Sequence, residues 1–359
     1  MEKVNLRRTY SSKGKRSYII DDLITDTFTI NKEYRPKTYG DMYVPCKEVK
    51  AVDYKVVNDI NRLNTLIDSQ GRKGKKPLRP KRLLSILHEV VFDLWSQTKD
   101  NFNVIFHSSG WDSRLLSSII RKAYLEDPKE VIFICWEPEG ALFKDIIRYE
   151  GWDEDQFFIL DRYNYKEFNM FDFKDAWRMV NGVSHYPINE EIFSIEYLHR
   201  QGRIPEDNYV VWPIGWGGNE TLISKVNLES FIRRWYYAYP ARLRPYLDQY
   251  VPYLDLRVIK EIFEHHPVEN NVAYRQGICK TFDSKLCRFS RGDHPKETIP
   301  KWVLSKCVSD YKESFYYRHI DQSFTSTPYV LARTSWWPKW TLASFIDHLR
   351  EKGVEIIWQ

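Results

Sequence analysis

Apolar positions between residues 80 and 161 switch repeatedly between two spacings. Leu83, Leu84, Leu87, Val90, Val91 and Leu94 recur at three and four, which predicts an amphipathic helix over 80–97 with Pro80 in its first turn. The run "NFNVIFH" (101–107) is short, apolar and rich in β-formers, so it reads as a buried parallel strand. Leu115, Leu116, Ile119, Ile120 and Tyr124 then line one face of a helix that starts near Ser113 and stops at Asp127-Pro128. A second strand over 130–136, a helix over 141–150 and a third strand over 156–161 follow. Strand, helix, strand, helix, strand predicts an α/β fold with a doubly wound parallel sheet. A fourth strand is expected within "NYVVWPIGWGGNE" (208–220). Beyond it the pattern is mostly helical from Leu228 to about Tyr317, and a tryptophan-rich stretch, "SWWPKWTLASFIDHL", ends in a last amphipathic helix. The organisation expected is an extension over 1–79 with short strands and a basic linker, one α/β domain over 80–320, and a C-terminal segment over 321–359.

Composition narrows the class without naming a partner. A net charge of +5 is mild for 359 residues and does not argue for nucleic acid by itself. The basic run "RKGKKPLRPKR" (72–82) reads as a solvated linker or as a contact for a polyanion such as nucleic acid. Thirteen tryptophans and 24 tyrosines are spread along the whole chain, as expected of core residues more than of a stacking platform. Five cysteines, with no C-x-x-C pair, argue against a disulfide framework and against a four-cysteine metal site. A reducing compartment fits this usage. The start, "MEKVNLRRTYSSKGKRSY", has no apolar stretch of the secretory kind, and no uncharged apolar run approaches the ~18 residues of a membrane span. A cytoplasmic protein without membrane contact is expected; the oligomeric state is left open.

The candidate chemistry sits where the first strand ends. "HSSGWDS" (107–113) lies at the carboxyl end of that strand, the place where doubly wound sheets bind ligands. Small residues let the backbone approach a ligand, and successive N–H groups with a helix N-terminus form a concave anion site. Ser108, Ser109 and Ser113 add hydroxyls, and Asp112 suits a nucleotide phosphate only with a divalent cation such as Mg²⁺ between them. The plainer alternative is that Asp112 or Ser113 caps the helix over 114–125.

This loop resembles the S-G-G-x-D-S phosphate loop of the N-type ATP pyrophosphatases (PP-loop proteins), with Ser109 standing at the first glycine. "PIGWGGNETL" (213–222) resembles the S-G-x-G-x-D-E segment of asparagine synthetases and their β-lactam-forming and lasso-peptide-cyclising relatives, through Gly215, Gly217 and Glu220. "VPYLDLRVIKEIF" (251–263) is similar to the P-(F/Y)-L-D segment of the same family, and "IPKWVLSKCVSDYKESF" (299–315) stands at its basic catalytic stretch. The four stretches follow the family's order over about 100–320. The resemblance implies a Rossmann-like, adenine nucleotide alpha hydrolase-like fold. It also implies an ATP-dependent ligase that adenylates a carboxylate and forms an amide with an amine, releasing AMP and pyrophosphate, with ATP and Mg²⁺ required.

Carried over by position, Ser108, Ser109, Gly110, Trp111, Asp112, Ser113, Gly215 and Gly217 would bind ATP, and Asp112, Asn219 and Glu220 would hold the metal. Asp112, Glu220 and Lys306 would be catalytic, with Lys312 and Lys301 as rivals of Lys306. Trp136 would face the base, or else fill the core. The chain departs from the family at Asn219, a neutral metal ligand, and at Trp216, which cannot take a proton, so ordinary asparagine synthesis is not expected. The roughly 100 residues before the loop are too few for a glutaminase domain, and the first cysteine is Cys46. The amine would come from another source. A nucleobase- or tRNA-modifying ATP pyrophosphatase and a degenerate nucleotide-binding scaffold are the alternatives.

Overall fold

The computed structural model describes residues 3–10, 16–25, 28–30, 45–46, 79–161, 190–215, 218, 248–255, 257–258, 261, 271–289, 301–320, 343, 346–347, 350–351, 353 and 355–358. Its centre is a parallel sheet. Strands β5 (Phe102–Phe106), β6 (Val131–Trp136), β7 (Phe157–Leu160), β8 (Tyr209–Pro213) and the two-residue β9 (Asp248–Gln249) lie in the order β7-β6-β5-β8-β9. Each neighbouring pair is parallel, with Val104 aligned to Ile132 on one side and to Val211 on the other. The strands are near-continuous apolar runs because the sheet is covered on both faces.

One face packs against helices α1 (Pro80–Gln97), α2 (Trp111–Glu126), α3 (Gly140–Tyr149) and α5 (Asn271–Phe282). The other packs against α4 (Glu190–Arg200), through Ile195 and Leu198 on Val104, Ile132 and Val211. This division follows from the chain's path. Parallel crossovers keep one hand, so a chain that has laid β5, β6 and β7 in one direction returns to the far side of β5 only across the opposite face. α4 lies on that return. The strand order therefore reverses between β5 and β8, and doubly wound sheets bind ligands beyond the carboxyl ends at such a point.

The helices behave as their apolar spacing requires. In α1 the buried residues are Leu83, Ile86, Leu87, Val90, Val91 and Trp95. The sequence bounds for this helix and the positions of all four strands hold to within a few residues. The fourth strand stops at Pro213. α2 begins earlier than the pattern suggests. Gly110 is its N-cap, in extended conformation and with no side-chain cap, so neither Asp112 nor Ser113 is a capping residue. Asp112 lies in the first turn, where a carboxylate suits the helix dipole.

A second sheet has the order β10-β1-β2-β3-β4. It combines β1 (Lys3–Tyr10), β2 (Arg16–Thr25), β3 (Phe28–Ile30) and β4 (Pro45–Cys46) with β10 (Glu355–Trp358). β1 pairs antiparallel with β2 and parallel with β10, Lys3 opposite Glu355. The C-terminal segment has helical positions at 343, 346–347 and 350–351 and then a strand that the sequence pattern does not predict. α6 (Lys301–Glu313) and a π-helical turn, Tyr316–Ile320, precede that segment. The basic run 72–78 and residues 321–342 lie outside the described residues. No helix among the described residues is long and apolar enough to cross a membrane.

Candidate functional site

The two loops that flank the reversal of strand order are those that carry the sequence signals. β5 ends at Phe106 and leads into His107–Gly110; β8 ends at Pro213 and leads into Ile214–Gly218. The loops touch. A Cβ on Gly215 would lie 2.8 Å from Ser113 Oγ and 3.3 Å from Ser108 Oγ. A Cβ on Gly218 would lie 2.5 Å from Asp112 Cβ and 3.0 Å from a ring carbon of Tyr253. At Gly218 the neighbour is the Asp112 Cβ, which cannot turn away, so glycine there lets the β8 exit lie against the β5 exit; at Gly215 a Cβ would displace the two serine hydroxyls.

Within the first loop the hydroxyls are organised. Ser108 Oγ and Ser113 Oγ are 2.9 Å apart, and Ser113 Oγ also accepts from the Ser108 amide at 3.3 Å. Ser109, at the place of the family's glycine, has φ +45°, the left-handed conformation that glycine adopts freely. It is held there by its partners. Its amide donates to His107 Nδ1 at 2.9 Å, its hydroxyl donates to Glu139 at 3.2 Å, and its carbonyl accepts from Arg114 Nε at 2.8 Å. Between His107 and Ser113 only Ser108 is exposed; Gly110, Trp111, Asp112 and Ser113 are enclosed.

Several residues that the sequence did not single out hold this arrangement. Tyr253, fully buried on the short 3₁₀ turn Pro252–Leu254, donates its hydroxyl to the Asp112 carbonyl at 3.1 Å. Arg114 is fully buried, with its guanidinium 4.4 Å from the Trp111 ring centre. It also donates to the carbonyls of Leu286 and Phe289, at 3.3 and 2.6 Å. His107 is fully buried against Phe133 and Phe143, and burial first, then the nearby Arg114 charge, lowers its pKa to about 3. Glu150 accepts from Ser117 at 2.8 Å, from Ser118, and from the Trp152 indole at 3.1 Å. The residue is partly exposed, but its carboxylate is turned onto these buried donors, and desolvation raises its pKa to about 7 against their stabilising bonds. A signal for Tyr253 was present in the P-Y-L-D segment. Arg114 and His107 flank the loop but carry no motif.

The remaining expected residues divide. Trp136 is partly buried, lies parallel to Phe106 at 5.3 Å and donates its indole N–H to Ser194 on α4 at 2.9 Å. Lys306 pairs with Asp310 one turn along α6, at 3.0 Å. Trp216, Gly217, Asn219 and Glu220 lie outside the described residues. Among the described residues no three metal-ligating side chains cluster. Mg²⁺ asks for less: one or two carboxylates, with phosphate oxygens and water completing its octahedron. Asp112 beside a hydroxyl-rich loop fits that donor set. No protein-family model matches the chain, and no curated protein sequence matches it.

Proposed function

We propose that the loops at the exits of β5 and β8 bind ATP, and that the protein is an AMP-forming ligase joining a carboxylate to an amine. The observation that carries this reading is the meeting of Ser108, Asp112 and Ser113 with Gly215 and Gly218 at the point where strand order reverses. Rossmann-like sheets bind nucleotides at that point. The resemblance of the same two loops to those of the asparagine synthetase-like ATP pyrophosphatases selects the reaction.

In this reading the backbone of 108–113, the hydroxyls of Ser108 and Ser113 and the N-terminus of α2 hold the pyrophosphate portion of ATP. Asp112 would hold Mg²⁺, with Asn219 and Glu220 as the further ligands named by position; when bound, the ion neutralises charge on the phosphates. A carboxylate oxygen of the substrate bonds to the α-phosphorus while the bond from that phosphorus to pyrophosphate breaks. The amine nitrogen then bonds to the acyl carbon and loses a proton, and AMP leaves. Fixed donors aimed at the phosphates do most of the work, since charge builds there in the transition state. His107 is not the base of the second step: its Nδ1 is taken by the Ser109 amide and its ring is sealed beneath the loop. The amine therefore arrives neutral or loses its proton to a group outside this loop.

A scaffold that binds nucleotide without turnover has an observation of its own: between His107 and Ser113 only Ser108 is exposed. Incubation with α-labelled ATP, Mg²⁺ and pools of amino acids and amines separates the two. The ligase releases labelled AMP only when both a carboxylate and an amine are present, and Asp112→Asn lowers that release by at least about 100-fold. Nucleotide-dependent thermal stabilisation without AMP supports the scaffold. AMP formed only when RNA is added moves the activity to nucleobase modification. Wild-type rates in Asp112→Asn overturn the metal assignment.

A further inference from the structure

Beneath the loop a hydrogen-bonded chain runs from the Ser109 amide through His107 and Ser117 to Glu150. The Ser109 amide donates to His107 Nδ1 at 2.9 Å. Because Nδ1 accepts, the ring proton belongs on Nε2, which lies 3.2 Å from Ser117 Oγ and donates to it. Ser117 has Glu150 Oε1 at 2.8 Å and the Arg114 carbonyl at 3.1 Å as acceptors for its single proton, and Ser118 and Trp152 also donate to the carboxylate. Arg114 faces His107 and disfavours a second ring proton; Arg121, also from α2, faces Glu150 and favours its ionised form. With the imidazole neutral, Nδ1 is left to accept and Nε2 to donate.

Packing alone does not explain a histidine here. The ring sits among Phe133 and Phe143, where a phenylalanine would serve the core. What imidazole adds is one acceptor and one donor in a fully buried place, and the acceptor meets the amide of the residue with left-handed backbone. We propose that His107 is the positioning residue of the loop: backed by Ser117 and Glu150, it holds the Ser109 amide, and so fixes the turn from which Ser108 and the start of α2 meet the phosphates of ATP. The inference rests on the reading of the loop as a nucleotide site, and it adds the group that gives the loop its shape.

Two measurements on the full chain test it. The first is hydrogen exchange at the Ser109 amide without nucleotide. The second is the affinity for MgATP by calorimetry. His107→Phe keeps the bulk and removes the acceptor; His107→Asn restores an acceptor near the place of Nδ1. Exchange at Ser109 is expected to quicken by about tenfold in His107→Phe, and MgATP affinity to fall by about the same factor. His107→Asn should stay within about threefold of wild type in both. Should His107→Phe fail to fold, Ser117→Ala carries the test by taking away the acceptor for Nε2, with faster Ser109 exchange expected. Unchanged exchange in His107→Phe or, in that event, in Ser117→Ala overturns the positioning role, even if MgATP binds. An asparagine variant as impaired as the phenylalanine variant also overturns it. A wild-type chain that binds no MgATP removes the nucleotide reading and the ligand named here, while the exchange result separately decides whether His107 shapes the turn.

Discussion

At the amino ends of the parallel strands, Asn103 donates to the carbonyls of Asn101 and Glu130, at 3.0 and 3.2 Å, and accepts from the Trp212 indole at 2.9 Å. Lys129 donates to the Trp95 carbonyl and to Thr98, and the Trp95 indole donates to the Asp127 carbonyl at 3.0 Å. At the carboxyl ends of β5 and β8, polar side chains serve a different arrangement. Ser109 is held at positive φ by three partners, two glycines bring a second loop into contact, and hydroxyls and a carboxylate collect beside them. Both ends carry buried polar side chains, Asn103 and Thr98 at one, Ser109 and Ser113 at the other. At one end the polar groups close off strand ends; at the other they hold a shape that the backbone does not favour by itself. Strain of that kind persists only where its surroundings enforce it, and it concentrates at binding sites.

Three experiments would break or sharpen this contrast. The largest effect belongs to the amino end. Trp95→Ala empties a site in the core and is expected to cost about 3–5 kcal/mol in denaturant unfolding. MgATP affinity measured well below the transition should not move. A specific loss of affinity would show that the two ends are not independent.

The second experiment is acid titration, where the carboxyl end should give way first. His107 has its folded pKa lowered from 6.5 to about 3, so its contribution is complete above 6.5 and is lost as pH falls toward 3. Glu150 has its folded pKa raised from 4.5 to about 7, so its contribution is complete below 4.5 and is lost as pH rises toward 7. From pH 6.5 to 4.5 the two oppose each other and nearly cancel. Below pH 4.5 only His107 still acts, and stability should fall by up to one proton's worth per pH unit. Hydrogen exchange against pH should show residues 107–118 loosening before 95–103. His107→Asn should abolish that fall relative to wild type; an unchanged acid limb would remove the buried neutral imidazole as its cause.

The smallest effect on stability, and the most local, belongs to Gly218→Ala. Its Cβ meets backbone-anchored Asp112 Cβ at 2.5 Å, so one loop must move. An affinity loss of about tenfold for MgATP is expected, with unfolding shifted by no more than about 1–3 kcal/mol. Unchanged affinity would mean that contact between the loops is not needed for binding.

Much of the scaffold could be read in advance, and the reason is local. Leu83 to Leu94 repeat within one helix, and Val104 to Phe106 or Ile132 to Cys135 are runs that announce buried strands by themselves. The pattern places the start of α2 two residues late because Asp112 and Ser113 are good capping residues, whereas Gly110 holds that place with no side chain at all. The supports of the site were hidden for another reason. Tyr253 meets Asp112 across 141 positions, and Arg114 meets Leu286 and Phe289 across 172 and 175. A hydroxyl or guanidinium bound to a distant carbonyl leaves no periodicity behind. The pairing of β1 with β10 is hidden in the same way.

The reach of Arg114 also sets an order of assembly. Its carbonyl partners at Leu286 and Phe289 leave the ribosome long after β5 and α2 have been made. The same guanidinium grips the Ser109 carbonyl, so its hold on that loop is completed only when this later segment is in place. A nascent polypeptide can pair its strands early, but the Arg114 guanidinium has its full set of acceptors only when the segment at 286–289 folds back onto α2.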